Sequence, residues 1–519
     1  MEKIKQITTG VLNLLLTLLK ALTSGLPNFV CKPVLANLGF LLQISGIFTL
    51  APIAYAFYIN EINAAISFLI TALFFLCIGF FLNSLCERKN LDLRQSCALL
   101  VLFYVFVTLI NCIPYLYLNI FQGGILEQLT NSWFETISAS STTGLTLSEG
   151  MTPPMSLILA RSINEWVGGL GLIFILLSSF YPSQKLDQYS KAIGFEKLSH
   201  SYKGTFLIVL FIYLTYTLIF TALLLVSGLD VFVAFQTVFT VFSTTGFTMI
   251  SASSMPLASV VVIVFMMFSS ALSFVFHFKL LSFLAEIEWK QLFSRNRYRF
   301  WSSISSIKWK ELFSVELKCY LVLLAILTFT FWGVSGVNPF QSFYHVIDFS
   351  SSCGLGVVDF QHLGDAGKMI LVAAMFVGPM SFSIGGGIRV LRAYILGKSL
   401  LALPKTFLTG KIPKITINGE EIDPQELFVH LLVIASFALL AVGSAWVLTN
   451  YGYSFADAMV ESVSAVTTTG DSPSVLTPAF SIIPKLMLMM LMLLGRIEII
   501  TPFVAMTKGV IAKEDISKF

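Results

Sequence analysis

The sequence predicts an all-α membrane protein in which four parallel helix–pore-loop–helix units surround a central pseudo-four-fold pore, preceded by two extra N-terminal transmembrane helices. Three observations carry that expectation. Of the 519 residues, 56% are hydrophobic and 12% charged, with a mean hydropathy of +0.85, whereas soluble domains carry about 25% charged residues. Apolar stretches near the roughly 20 residues that span a bilayer recur along nearly the whole chain. A Ser/Thr-rich stretch ending in glycine appears four times, each time between two such spans. Self-similarity at a nearly fixed period marks a repeat architecture.

The elements follow in order. Residues 1–96 form the N-terminal region. Its stretch 1–35 is short, carries Asn13 and Lys20 inside it, and is read as an interfacial helix rather than a secretory signal. Spans near 39–59 and 63–83 follow, joined by a turn around Asn60–Asn63. Repeat 1 (97–190) has spans near 97–119 and 155–180 around NSWFETISASSTTGLT (131–146). Repeat 2 (200–290) has spans 204–228 and 257–280 around AFQTVFTVFSTTGFT (234–248). Repeat 3 (312–402) has spans 318–336 and 367–400 around SFYHVIDFSSSCGLG (342–356). Repeat 4 (425–510) has spans 427–449 and 477–505 around SFADAMVESVSAVTTTGDS (454–472). Gly144, Gly246, Gly354 and Gly470 are 102, 108 and 116 residues apart.

Charge fixes the orientation. Lys and Arg collect in 181–203, 279–318 and 389–414, and none occurs in 120–156, 226–262, 335–367 or 450–484. Cytoplasmic loops carry the Lys/Arg excess, so the linkers and both termini are expected inside a plasma (inner) membrane and all four motifs outside. Each repeat crosses twice and returns to its starting side, which makes the four parallel. An inverted-repeat transporter would flip the bias between halves.

Between the two spans of each repeat lies a stretch too short to cross and return. Ten residues of helix reach about 15 Å, enough to dip halfway. Irregular backbone at membrane depth survives only where protein buries it or it lines a wet cavity. Converging Ser/Thr-Thr-Gly segments would let backbone oxygens replace part of a cation's hydration shell, with glycine allowing positive φ and helix C-termini directing negative dipole ends at the ion. The candidate ion ligands are Ser141, Thr142, Thr143 and Gly144; Ser243, Thr244, Thr245 and Gly246; Ser352, Cys353 and Gly354; and Thr468, Thr469 and Gly470. Cys353 stands where the other copies have Thr143, Thr245 and Thr469, and Gly356 where they have Thr146, Thr248 and Ser472. One glycine per repeat predicts looser selectivity than that of a dedicated potassium channel.

These motifs, STTGLT (141–146), STTGFT (243–248), SSCGLG (351–356) and TTTGDS (467–472), resemble the Trk/Ktr/HKT superfamily of potassium transporters. RSINEWVGGLGLI (161–173) is similar to that superfamily's second helix of the first repeat, and GRIEIITP (495–502) to its fourth-repeat signature. The two extra spans look like the Trk branch, a potassium-uptake membrane subunit. The resemblance implies K+ as the transported ion, because glycine at all four filter positions goes with potassium and serine at the first with sodium preference. It also implies a homodimer in membrane lipid with a separate cytosolic nucleotide-binding regulatory subunit, for which basic linkers 181–203 and 281–318 are docking candidates, anionic lipid being the alternative partner.

Two gate candidates remain. GPMSFSIGGG (378–387) packs four glycines and a proline into ten residues, which disfavours continuous helix. It is either a packing kink or, by the resemblance, an intramembrane gating loop, with Gly378, Ser383, Gly385, Gly386 and Gly387 as its residues. Arg496 lies inside the last span, where a charge faces a cavity or partner or snorkels to the surface. The resemblance makes it a barrier in the pore. Nine residues before the filter glycines stand Glu135, Thr237, His345 and Glu461; of these the two acids, Glu135 and Glu461, brace the pore helices or attract cations. Glu149, Asp230, Asp359 and Asp471 are acids for the outer mouth, and Arg161 with Glu165 suggests an i,i+4 ion pair.

Other classes are disfavoured. The seven cysteines form no C-x-x-C pair, and there is no H-E-x-x-H, phosphate loop or Ser–His constellation, so neither an enzyme nor an organic cofactor is expected. A net charge of +4 gives no reason to expect nucleic acid. An ion-coupled (Na+ or H+) symporter working by alternating access stays open as the second reading.

Overall fold

A computed structural model describes residues 32–85, 91–179, 198–199, 202–286, 312–356, 360, 363–410, 416–417, 420–473 and 476–506. Most of the interfacial-helix stretch, most of both basic linkers, the C-terminus after 506 and Asp359 therefore lie outside the described residues. Two compact bodies emerge. One comprises 1–187 with 474–519, the other 188–473. The boundaries differ from the expected repeats, because repeat 4 is divided between its filter and its last helix.

In the first body, α1 (Lys32–Phe48) and α2 (Leu50–Tyr58) form one span, and α3 (Ile62–Leu85) returns antiparallel to it. Repeat 1 supplies α4 (Leu93–Tyr117), the pore helix α5 (Ile125–Ser140) and α6 (Met155–Ser179). Helix α4 starts four residues before the expected span, because Asp92 and Gln95 cap each other's backbone amides in a capping box. The core of this body gathers Leu38, Leu42, Phe75, Leu99, Phe106 and Ile110. Helix α17 (Ile482–Ile497) and the short α18 (Ile500–Met506) complete it.

In the second body, repeat 2 contributes α7 (Tyr202–Val226), pore helix α8 (Val231–Phe242), α9 (Leu257–Ala271) and α10 (Phe274–Glu286). Repeat 3 contributes α11 (Val315–Ser335), pore helix α12 (Pro339–Ser351), α13 (Asp365–Val377) and α14 (Val390–Thr409). A two-stranded ladder, β1 (Thr416–Ile417) with β2 (Glu420–Glu421), precedes α15 (Pro424–Thr449) and pore helix α16 (Phe455–Thr467) of repeat 4.

Among the described residues six helices are long and apolar enough to span a bilayer, or eight if each sharply bent pair counts once. Three expected second spans are not continuous. Between α9 and α10 the chain bends by 109°, and between α17 and α18 by 90°. The third break separates α13 from α14, from Gly378 at φ +70° to Arg389 at φ +74°. Hydropathy averages over such breaks and reads each as one span.

Broken helices free backbone groups that a bilayer cannot satisfy, and the second body pairs them with each other. The Ala271 carbonyl accepts from Met380 N–H at 3.0 Å, the Phe382 carbonyl from Phe274 N–H at 2.9 Å, and the Ser270 carbonyl from Ile384 N–H at 3.4 Å. His277 holds the same bend, its Nε2 2.9 Å from the Ser269 carbonyl and its Nδ1 2.9 Å from the Tyr216 hydroxyl.

Candidate ion filter and gate

Each pore helix is started by a local cap. Asp230 accepts from Phe232 N–H, Asn338 from Gln341 N–H and Ser454 from Asp457 N–H, while Glu127 caps Gly124 in repeat 1. The helices run 16, 12, 13 and 13 residues, or about 18–24 Å, short of the ~30 Å hydrocarbon layer. They end alike. Thr142, Thr244, Ser352 and Thr468 all adopt the left-handed region, at φ +53°, +63°, +60° and +53°. The following amides turn back by five residues: Thr143 to Ser138, Thr245 to Thr240, Cys353 to Asp348 and Thr469 to Ser464, at 2.8–3.1 Å. That is a Schellman-type stop normally built on glycine. Four β-branched or hydroxyl residues hold it here, at a cost of about 1–2 kcal/mol each, in one repeated position. Two residues on, Gly144, Gly246, Gly354 and Gly470 are again at positive φ, between +71° and +96°.

Three repeats share a hydroxyl pair across the turn: Ser141 with Thr143 at 2.7 Å, Ser243 with Thr245 at 2.8 Å and Thr467 with Thr469 at 2.8 Å. Repeat 3 lacks it. Cys353 turns its thiol to the Val241 carbonyl at 3.5 Å, and Ser351 donates to the Asp348 carbonyl. Within the second body the filter segments abut. A Cβ on Gly246 would strike the Cys353 and Gly354 carbonyls, and one on Gly354 would strike the Thr469 carbonyl.

The braces behind the filters only partly match the position nine residues before the glycine. Glu135 Oε1 accepts from Leu147 N–H at 2.6 Å, Ser148 N–H at 3.1 Å and the Thr146 hydroxyl at 2.8 Å. Arg161 lies 3.9 Å from Glu135 and 3.6 Å from Glu165, so the expected ion pair is part of a triad. Glu461 accepts from Ser472 at 2.7 Å. Thr237 and His345 do not play this part. In repeat 2 Gln236 bonds Phe247 and Met249 instead. In repeat 3 the Tyr344 hydroxyl donates to the Leu355 carbonyl at 2.9 Å, and Asp348 accepts from Leu355 N–H at 2.9 Å. Counting back a fixed nine residues missed these. Allowing the neighbouring pore-helix positions, one residue before and three residues after, would have found them.

The glycine-rich segment sits against the filters of repeats 3 and 4. The Ser352 hydroxyl donates to the Gly386 carbonyl at 3.4 Å, and a Cβ on Gly385 would lie 2.6 Å from the Ser351 carbonyl. A Cβ on Gly386 would strike the Thr467 carbonyl and sit 2.5 Å from Thr468 Oγ1. Gly378 and Gly387 pack on each other, and Ser383 bonds Met380 within the loop. Glu316, which the sequence did not single out, accepts from Ser381 N–H at 2.6 Å. Arg496 is buried at the last turn of α17 and donates to the Gly168 carbonyl. Gly168 itself packs on Ser140 and Thr142 of the first filter. The guanidinium therefore does not snorkel out; it is held beside the first filter's support.

Second helices pack on the following repeat's pore helix: α9 on α12 and α13 on α16 in the second body, and α17 on α5 in the first. Two of these junctions carry the same lysine contact, thirteen residues before the filter glycine. Lys368 Nζ reaches Asp457 at 2.6 Å, and Lys485 Nζ reaches Asn131 Oδ1 at 2.7 Å. Burial works against the Asp457 charge, but the hydrogen bonds from Lys368 and Ser454 outweigh it and hold this carboxyl below its usual range. Of the outer acids, Glu149 is exposed, Asp230 is spent as a cap and Asp471 is buried.

Comparison with known proteins agrees with this architecture. An uncharacterized cation transporter of Methanocaldococcus jannaschii is 28% identical over 478 residues, covering 90% of this chain and 93% of that one. The Trk system potassium uptake protein TrkH of Halomonas elongata is 25% identical, over 81% and 86%. The crystal structure of the potassium transporter TrkH from Vibrio parahaemolyticus superposes with a TM-score of 0.75 at 20% identity, covering 92% of this chain and 98% of that one. Residues 67–512 match the family described as TrkH, cation transport protein, and this integral membrane chain belongs to that family.

Proposed function

We propose that the protein takes up potassium across the cell membrane through a channel-like pore, in which the four Ser/Thr-Thr-Gly segments form one carbonyl-lined filter and the 378–387 loop gates it. The observation that carries the reading is the recurrence, in all four repeats, of a left-handed residue and a left-handed glycine two positions apart. That alternation swings successive carbonyls out of the helical direction, so that they can replace water around a cation. The packing of second helices onto the next pore helix, from repeat 2 to 3 and 3 to 4 in one body and from 4 to 1 in the other, supports a sequential arrangement of the repeats. Potassium as the ion is supported by the similarity to the Halomonas potassium uptake protein and the Vibrio potassium transporter and by the four glycines.

The gate reading is supported by the loop's contacts with Ser351, Ser352, Thr467 and Thr468. We further propose a homodimer joined by a separate nucleotide-binding subunit, no organic cofactor and no enzymatic activity. Purified protein in proteoliposomes provides the test. Potassium currents should reverse near the potassium equilibrium potential, displaced by a sodium gradient only as far as a small sodium permeability requires and not at all by a proton gradient. Potassium driven against its own gradient by a sodium or proton gradient would favour the symporter instead.

A further inference from the structure

We propose that Asp471 is a positioning residue that ties the fourth filter segment to the third at Gly356, and so sets how strictly the pore separates potassium from sodium. The inference rests on the filter reading above and concerns the position two residues after each filter glycine. In repeats 1 and 4 that position holds Thr146 and Ser472, whose hydroxyls donate to Glu135 and Glu461 of their own pore helices at 2.8 and 2.7 Å. Each brace stays inside one repeat. Repeat 3 has Gly356 there, with no side chain to offer.

Two carboxylates take over the task. Asp348, on the repeat's own pore helix and fully buried, accepts from the amides of Gly354 and Leu355. Asp471 arrives from repeat 4, 7% exposed, and accepts from the Gly356 amide. A Cβ at 356 would stand 2.8 Å from Asp471 Oδ1, closer than real Cβ atoms come. The glycine that breaks the repeat pattern is thus the counterpart of an aspartate in the neighbouring segment. Two residues earlier the same pair of segments touches again, where a Cβ on Gly354 would strike the Thr469 carbonyl.

Discrimination between alkali ions depends on the spacing and field of filter oxygens. A hydrogen bond from one segment to the next fixes that spacing where the two segments meet, whereas a brace within one repeat cannot. Removing the bond should loosen the third and fourth segments relative to each other and admit the smaller ion. A role in folding alone would change the amount of protein or the size of the current and leave the permeability ratio alone.

The experiment measures reversal potentials under opposed potassium and sodium gradients in proteoliposomes, for wild type, Asp471→Asn, Asp471→Ala and Gly356→Ala. Asparagine keeps an acceptor for the Gly356 amide, so Asp471→Asn should stay within about twofold of the wild-type ratio. Asp471→Ala should lower it about fivefold or more, on the order of one lost hydrogen bond. Gly356→Ala, which leaves Asp471 in place but drives a methyl into its carboxylate, should also lower it, and it serves if Asp471→Ala fails to reach the membrane. A wild-type ratio in Asp471→Ala or in Gly356→Ala overturns the inference while leaving the filter reading intact. Wild-type protein that passes no potassium overturns the filter reading, and this inference with it.

Discussion

At the scale of single residues, the filter depends on backbone conformations that most side chains resist. Gly246 sits at φ +84° with the Cys353 and Gly354 carbonyls where a Cβ would go. Gly246→Ala combines backbone strain with a collision that neither carbonyl can relieve, so potassium uptake should fall at least about tenfold in a potassium-dependent growth or flux assay. Arg496 presents the opposite case. Its guanidinium is held by the Gly168 carbonyl beside Ser140 and Thr142, and under the proposed pore a fixed positive charge there would oppose cation passage. Arg496→Ala should raise potassium flux, and unchanged flux in correctly inserted protein would remove it from the gate. The sequence singled out both residues from chemistry alone: a repeated glycine, and a charge where apolar residues are the rule. It did not reveal Gln236 or Asp348, because which residue on a pore helix meets its own filter depends on how that helix ends.

At the scale of elements, the informative feature is the loop from Gly378 to Arg389. Composition marked it as non-helical, and that reading stands, since Gly378 and Arg389 both leave the helical region. Its partners were not readable. The loop is stitched to the α9–α10 bend by Met380, Phe382 and Ile384 and fastened to α11 by Glu316. Glu316→Gln replaces a charged acceptor of the Ser381 amide with a neutral one, a loss of about 1–2 kcal/mol. That should populate a displaced loop and raise basal potassium flux. Shortening the loop within 381–386 should raise it further, and a deletion with wild-type flux would count against a gate. The N-terminal helices have an element-scale role too. Glu61, in the α2–α3 turn, accepts from Met155 N–H at 2.9 Å and Ser156 N–H at 3.1 Å, capping the helix that carries Arg161 and Gly168. Glu61→Ala should lower thermal stability by about 1 kcal/mol, seen as an earlier melting transition.

At the scale of the whole molecule, the repeats are alike in plan and unlike in detail. One glycine per segment, a cysteine in place of a threonine and a hydrogen bond from the Gly356 amide to Asp471 leave little exact symmetry for coordinating one ion size. Sodium permeability should therefore be measurable in reversal-potential experiments, smaller than that of potassium but not zero. The lysine contacts at two of the junctions make a second whole-molecule expectation. Lys368→Met leaves Asp457 without its cation, and the loss of a short charge-assisted bond, about 1–3 kcal/mol, should fall on stability before it falls on conduction. Thermal denaturation in detergent, read beside flux, separates the two.

Sequence by itself determined the membrane class, the recurrence of four Ser/Thr-rich motifs ending in glycine and the interruption in the second helix of repeat 3. These are properties of composition, period and charge bias, which need no partner to be expressed. Tertiary structure alone decided where the second helices break, which side chain braces each filter, what the loop leans on and why residue 356 is glycine. Each of those depends on which backbone groups are left unsatisfied when segments far apart in the chain meet inside a medium that offers them no water.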